Sequence, residues 1–253
     1  MNITERILDS CLPWLQNRVI KDAVFGIALI VVELDDGMLG SALLLLEEMH
    51  TCSEIYPISR EVLHANAAEI ARWAVHSDHP LKQALGFAVL NAAANYQIPH
   101  DLAIIEARNA VQVLPSDTVG MIGNIHALTA TVRASADRLI IFDRGAPGPG
   151  IEPEELQPQL LPLCDLVLIT GSAFLNNTME TVLSYCSKAR ETWVIGPSTP
   201  LYPLAFSHTQ VTHLAGTLWR SECKDDLFRA ASLGAMLRDI GSLARKVVVE
   251  VKH

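Results

Sequence analysis

The stretch ITGSAFLNNTMETVL, residues 169–183, places an unusual number of polar groups between a buried-looking apolar run and a helical pattern. The group consists of Thr170, Gly171, Ser172, Asn176, Asn177 and Thr178. One of the last three side chains can cap the following helix, because short oxygen-bearing side chains accept from its first free amides. A turn accounts for the glycine and tolerates the serine. At least two polar side chains therefore remain to bind a ligand.

Two further segments combine glycine with polar residues at the ends of predicted strands. The segment GMIGN contributes Gly120, Gly123 and Asn124, and GPSTP contributes Gly196, Pro197 and Ser198. The glycines permit close backbone approach, and the helix after GMIGN offers free N–H groups to an anion. Its GxxG spacing falls short of the GxGxxG dinucleotide fingerprint. Because ligands of open α/β sheets bind beyond the carboxyl ends of the strands, we expect all three segments to converge on one cleft.

Asp143 follows another predicted strand about twenty residues after the glycines, where dinucleotide-binding folds place an acid on the ribose. A loop salt bridge is an equal alternative for this carboxylate.

Asn91 interrupts an apolar helix, and a buried amide needs partners. It either bonds neighbouring backbone or faces the cleft.

Metal-binding residue types also occur along the chain. His126 and Asp143 are candidate metal ligands near the cleft. Two surface-like stretches contain further candidates, HTCSE with His50, Cys52 and Glu54, and HSDH with His76, Asp78 and His79. Solvated loops are the more typical interpretation of both stretches. Motifs of nucleophilic hydrolases, zinc proteases and P-loop proteins do not occur, so catalytic residues stay unknown.

The elements that would position these residues fall into two groups. Apolar runs around Asp35, Asp36 and Gly37 predict an antiparallel hairpin. Two helices follow, in SREVLHANAAEIARWAV and in HPLKQALGFAVLNAAANYQI. Residues 1–105 are therefore predicted to form a small α+β domain.

After Pro99, apolar runs alternate with helical patterns, which predicts a parallel α/β domain over residues 106–253. The predicted strands are DTVGMIG, RLIIFD, DLVLIT, TWVIG and VTHLAG. Helices are expected over residues 124–136, 154–160 and 177–189, with a loop over residues 144–153. The region from about Asp225 is predicted to be helical.

Composition excludes several classes of function. The chain has 253 residues, and 28 acidic against 19 basic residues give a net charge of -9, which disfavours nucleic acid and anionic membranes. The first residues lack a signal-peptide pattern, and no apolar run is long enough to span a membrane. Five cysteines without a CxxC pair predict a reducing cytoplasm. Trp193, Trp219 and Phe228 make a homodimer plausible.

The motifs VGMIGN, IFDR, CDLVLITGSAFLNNTMETVL and VIGPSTPLYP resemble the C-terminal domain of the family described as putative heavy-metal chelation, a domain of unknown function. GMLGSALLL and LGFAVLNAA resemble its companion domain. The resemblance spans nearly the whole chain. It implies an enolase N-terminal-like domain followed by a Rossmann-like domain, with a site between them.

The same resemblance implies site residues at Asn91, Gly120, Gly123, Asn124, Thr170, Gly171, Asn176, Thr178, Gly196, Pro197 and Ser198. Two positions depart from the family pattern, Ser172 where threonine is expected and Asn177 where glycine is expected. The implied role is metal homeostasis, through a cytoplasmic protein that binds or processes a metal-related small molecule. The cofactor stays unknown, with a transition-metal ion or a metal chelate as candidates. The alternative is an enzyme that uses S-adenosylmethionine or NAD.

Overall fold

A computed structural model describes residues 1–49, 53, 55–99, 102–144 and 148–253 of the chain. The elements of its first part are α1 (Ile3–Leu15), β1 (Ile20–Phe25), β2 (Leu29–Leu34), β3 (Leu39–Leu43), α2 (Ile55–Val62), α3 (Ala67–His76) and α4 (Pro80–Ala93). The three strands form an antiparallel sheet in the order β1-β2-β3. The predicted hairpin is confirmed, because β2 and β3 pair on either side of the turn that contains Gly37.

The segment SREVLHANAAEIARWAV is helical as predicted but not continuous, because α2 ends at Val62 and α3 begins at Ala67. His64 adopts a left-handed φ of 66°, which a continuous helix does not accommodate. Asn66 then caps α3 by accepting from the amide of Ala68 at 3.0 Å. Side-chain capping therefore competes successfully with the apolar helical pattern at this point.

The second part contains the remaining strands and helices of the described chain. They are α5 (Ala107–Ala110), β4 (Thr118–Ile122), α6 (His126–Ser135), β5 (Arg138–Phe142), β6 (Ile151–Glu152), α7 (Gln157–Leu160), β7 (Leu166–Thr170), α8 (Met179–Ser184), β8 (Glu191–Ile195), β9 (His213–Trp219), α9 (Lys224–Ser232), α10 (Leu237–Ile240) and β10 (Ala244–Glu250). The α/β fold class with a mainly parallel sheet is confirmed.

The seven strands of the larger sheet follow the order β10-β9-β8-β7-β4-β5-β6. All neighbours pair in parallel except β9 and β10, which are antiparallel. Counted along the chain, the six parallel strands have the order 3-2-1-4-5-6 of doubly wound sheets. The order reverses between β4 and β7, and a crevice opens there beyond the carboxyl ends of the strands.

Two strands extend the sheet beyond the prediction. The loop expected over residues 144–153 contains the short β6, and the helical C-terminal region beginning with α9 ends in β10. The sequence ARKVVVE of β10 is rich in β-branched residues, and it pairs with β9 along its whole length. Pairing with a neighbouring strand thus determines the structure of both β6 and β10. The local sequence instead indicates a loop and a helix, so it does not predict these strands.

The C-terminal region packs back on the small sheet. Lys224 at the start of α9 lies 3.0 Å from the carboxylate of Asp22 and contacts that of Glu33. Glu33 is only 4% exposed, and Lys21 donates to its other oxygen at 2.8 Å. The hydrogen bond with Glu33 raises the pKa of Lys224 above its ordinary value. Both charges are therefore compensated where the helix meets the sheet.

None of the helices in the described ranges combines the length and the apolar composition needed to cross a membrane.

Gly40 is the position where α4 approaches β3 most closely. A Cβ there would lie 2.1 Å from both the carbonyl oxygen of Ala88 and the amide nitrogen of Ala92. We expect Gly40→Ala to lower the free energy of unfolding by about 3 kcal/mol or more, because helix backbone cannot yield as a side chain does. Urea denaturation measures this.

The matched control is Gly37→Ala in the hairpin turn. Gly37 has a φ of 86° but open space around its Cβ position, so only conformational strain of about 1 kcal/mol is expected. Equal losses in the two variants would contradict the close packing of α4 on β3.

Candidate functional site

A cavity of about 810 Å³ lies at the carboxyl ends of the parallel strands. The strand residues that line it are Ile122 of β4, Phe142 of β5, Thr170 of β7, Ile195 of β8, Ala215, Gly216 and Thr217 of β9, and Lys246 and Val247 of β10. Two residues that follow β3, Leu45 and Glu47, also line it. Nine of the predicted ligand-binding residues lie in the lining: Gly123, Asn124, Asp143, Thr170, Ser172, Asn176, Thr178, Gly196 and Pro197. The crevice expected from the sheet order is thus a cavity of ligand size.

The loop after β4 forms one wall. Gly123 has a φ of 76°, and its amide donates to the carbonyl of Phe142 at 2.7 Å. The next amide, that of Asn124, donates to Oδ2 of Asp143 at 2.6 Å, and Thr129 donates to the Asn124 side chain at 2.8 Å. Asp143 therefore holds this loop, whatever else it binds.

The helix that begins at this loop, α6, has no side-chain cap at its N-terminus. In α1 and α3, by contrast, the side chains of Asn2 and Asn66 accept hydrogen bonds from the first amides. The residues around the start of α6 line the cavity, including Ile125, His126 and Ala127. The partial positive charge of the helix N-terminus is consequently directed at the cavity.

The stretch that follows β7 forms a second wall. The hydroxyls of Thr170 and Ser172 lie 3.0 Å apart, and both line the cavity. When its amide is oriented to satisfy both atoms, Asn176 donates to Thr178 Oγ1 at 2.7 Å and accepts from Arg144 at 3.2 Å. Thr178 stands at the N-cap position of α8 but makes no side-chain cap bond. The sequence suggests that Asn176, Asn177 or Thr178 caps α8, but no side chain makes that cap bond.

Asn91 and Ser198 do not line the cavity, although they lie directly behind it. Asn91 is 4% exposed, and its Nδ2 donates to the carbonyls of Ser41 at 2.8 Å and Pro197 at 3.4 Å. Ser198 is fully buried, and its Oγ accepts from the amide of Leu43 at 2.8 Å. Both polar side chains bond backbone, which is the structural alternative that the sequence left open for Asn91.

Three other predicted residues also lie outside the lining. Gly120 packs in β4, where a Cβ would lie 2.8 Å from the Leu161 side chain. Gly171 is buried, and a Cβ there would lie 2.7 Å from the amide of Thr199. Asn177 is exposed with a φ of 56°, a left-handed conformation that glycine adopts readily and asparagine tolerates.

Charged residues that were not predicted as ligands also line the cavity, among them Arg144, Glu154, Glu106 and Lys246, whereas Glu48 lies outside the lining. Arg144 donates through Nε to both oxygens of Glu154, at 2.7 and 2.8 Å, and lies 3.6 Å from Glu48. Burial raises the pKa of Glu48, and nearby Arg144 opposes that shift. Across the cavity, a hydrogen bond from Lys246 lowers the pKa of Glu106. Arg144 directly follows Asp143 at a predicted strand end, so its position in the sequence could have identified it as a lining residue.

The described residues contain no group of three or more His, Cys, Asp or Glu side chains that could hold a metal ion. Of the candidate ligands, His126 lines the cavity beside the start of α6. Asp143 binds the Asn124 amide, and His79 caps α4 by accepting from the Leu81 amide at 3.2 Å. The candidates His50, Cys52 and Glu54 lie outside the described residues. The donor set of the cavity therefore does not fit a directly bound transition-metal ion.

These observations define an α/β protein with a ligand-sized cavity at the switch point of a doubly wound sheet. Residues 107–250 match the DUF364 family model, described as "putative heavy-metal chelation". Residues 8–94 match the DUF4213 model, which has the same description. The chain therefore belongs to the DUF364 family, and the description of its domains supports a metal-related function.

Similar proteins share the fold. A protein of unknown function from the same family in Pyrococcus horikoshii has a TM-score of 0.83 at 23% identity, covering 99% of this chain and 100% of its own. Another from Desulfitobacterium hafniense has a TM-score of 0.79 at 22% identity, covering 98% of each chain. An uncharacterized protein of Methanocaldococcus jannaschii is 27% identical over 144 residues, which are 54% of this chain and 54% of that protein. The chain thus matches about half the length of this relative.

Replacing Asp143 tests whether it supports the loop after β4. We expect Asp143→Ala to lower the free energy of unfolding by about 1.5–3 kcal/mol, because the Asn124 amide loses a charged acceptor. The control Asp143→Asn retains an oxygen acceptor and should lose less. Chemical denaturation of the variants measures both values. If Asp143→Ala is as stable as the unsubstituted protein, the carboxylate does not hold this loop.

Proposed function

We propose that the protein binds a small, anionic and oxygen-rich ligand in the cavity, and that metal arrives there as a chelate of this ligand. The observation that carries the proposal is the chemistry of the lining. The hydroxyls of Thr170 and Ser172 and the uncapped start of α6 are directed at one space. Such groups bind oxygen-rich anions, whereas they are poor ligands for a transition-metal ion.

The cysteines also argue against direct metal binding. Burial raises the pKa of Cys11 to about 12, that of Cys164 to about 11 and that of Cys186 to about 12. These buried thiols are therefore neutral in the metal-free protein, and none of the three lines the cavity. All three are buried. A chelate requires no thiolate from the protein, and it reconciles the family description with this lining.

The start of α6 and the cations of the lining support the proposal of an anionic ligand. Amides at a helix N-terminus attract anions, and Asn124 and His126 bring this end of α6 into the lining. Arg144 contributes a guanidinium group, which suits bidentate contact with a carboxylate. In the described structure a single N–H, that of Nε, is shared between the two carboxylate oxygens of Glu154. An anionic ligand would compete for the same guanidinium group.

We further propose that the cavity is a cleft between two domains, residues 1–105 and 106–253. Leu45, Glu47 and Ile105 would then line it from the first domain, and the remaining lining residues from the second. The two family matches, to residues 8–94 and 107–250, support this division. The names enolase N-terminal-like and Rossmann-like, the cytoplasmic location and the homodimer remain predictions.

A thermal-shift panel tests the ligand class. Ferric citrate, citrate alone, ferric ion and cobalt ion are added separately to the purified protein. We expect ferric citrate to stabilise it, by about 2.7 kcal/mol at a concentration one hundred times the dissociation constant. A bare ion that stabilises the protein as strongly as the chelate would contradict the proposal.

The same panel should include S-adenosylmethionine and NAD. Stabilisation by either cofactor, with none by the chelate, would favour the alternative of an enzyme that uses a nucleotide-like cofactor.

Thr170→Val removes one hydroxyl from the lining while keeping the shape of the side chain. We expect its affinity for ferric citrate to fall about fivefold, which corresponds to roughly 1 kcal/mol for one hydrogen bond. The melting temperature should fall by no more than about a few degrees, because the Thr170 hydroxyl also accepts weakly from the Ser172 amide, at 3.4 Å. Isothermal titration calorimetry measures the affinity.

The matched control is Ser184→Ala, since this exposed hydroxyl donates to the carbonyl of Thr181 and does not line the cavity. An equal loss of affinity in both variants would show that the loss in Thr170→Val does not come from the cavity lining.

A further inference from the structure

We infer that Ser198 and Asn91 are positioning residues, which hold the cavity-lining Gly196 and Pro197 against the edge strand β3 without contacting the ligand. The effect on ligand binding rests on the proposed function, whereas the effect on structure does not. The inference changes the role of two predicted site residues. Their importance would come from the backbone that they hold.

Ser198 makes the central contact. Its side chain is fully buried, and its Oγ accepts from the amide of Leu43 at 2.8 Å. Leu43 is the last residue of β3, and the lining residues Leu45 and Glu47 follow it closely. On the other side of the bond, Ser198 directly follows the lining residue Pro197. One hydrogen bond therefore joins two segments that supply the cavity wall.

Asn91 bridges the same two segments from α4. Its Nδ2 donates to the carbonyl of Ser41 in β3 and to the carbonyl of Pro197. Its Oδ1 accepts no hydrogen bond from the described residues. A buried acceptor without a partner costs free energy, which offsets part of the gain from the two donated bonds. The Asn91 side chain therefore fixes the relative position of the two segments more than it stabilises the fold.

Two further contacts confine the loop. Trp219 of β9 donates through Nε1 to the Ser41 hydroxyl at 2.8 Å, which fixes β3 relative to the large sheet. Gly171 packs directly against the backbone at Thr199 and leaves no room for a Cβ. The loop therefore lies between β3 and the segment that carries Thr170. A displacement of the loop would disturb both β3 and the segment that carries Thr170.

Hydrogen exchange measured by mass spectrometry tests the positioning role without any ligand. In Ser198→Ala we expect the amides of residues 39–45 and 194–202 to exchange about tenfold faster, equivalent to about 1.4 kcal/mol of local opening free energy. Exchange in α6 and β10 should not change. A role in overall stability alone would instead accelerate exchange throughout the chain.

The control for this measurement is Thr170→Val, whose hydroxyl lines the cavity. It should weaken ferric citrate binding without accelerating exchange in residues 39–45. Ser198→Ala should do both, with an affinity loss of about fivefold. If Ser198→Ala does not fold, Asn91→Ala provides the same test, with faster exchange in the same two segments.

Unchanged exchange in residues 39–45 and 194–202, or a uniform increase throughout the chain, would overturn the positioning role. Loss of ferric citrate binding in Thr170→Val alone would leave the proposed function standing and refute the effect of Ser198 on the ligand. Localised exchange in a protein that binds no chelate would support the positioning role and refute the proposed ligand.

Discussion

The parallel pairing of β4 with β5 on one side and β7 on the other is the constraint on which the rest of the structure depends. Connections from these strands leave the sheet in opposite directions, so their carboxyl ends cannot be covered by one helix. The space left between them is the cavity. The loop at Gly123 and the turn at Ser172 are each placed at the cavity by the end of a strand. Sheet topology therefore determines where binding chemistry can occur, and side chains determine which ligand binds.

The small sheet contributes to this site chiefly through backbone contacts. Buried Asn91 and Ser198 join β3 to the loop after β8, while Trp219 joins it to β9. Lys224 and buried Glu33 attach α9 to the same sheet. These polar contacts have defined geometry, whereas apolar packing alone would permit sliding. These contacts consequently fix the position of the two sheets relative to each other around the cavity.

Much of the fold was predictable, because β2, β3 and five of the six parallel strands carry strong apolar patterns and turn residues. The helix break at His64 and the strand β10 were missed, since a left-handed residue and a distant pairing partner leave little local signal. For the site, the strand ends and the segments after them predicted nine of the residues that line the cavity. Sequence did not distinguish a side chain that lines the cavity from one directly behind it, such as Ser198. That distinction depends on side-chain direction, which residue type and spacing do not specify.

The family description and the lining agree if the metal arrives already chelated. Native mass spectrometry with elemental analysis, on protein purified gently from its own host, tests this claim most directly. The account predicts a bound mass that contains both an organic molecule and a metal, and that is lost or reduced in Thr170→Val. A stoichiometric bare metal ion, without organic mass and unaffected by Thr170→Val, would contradict it.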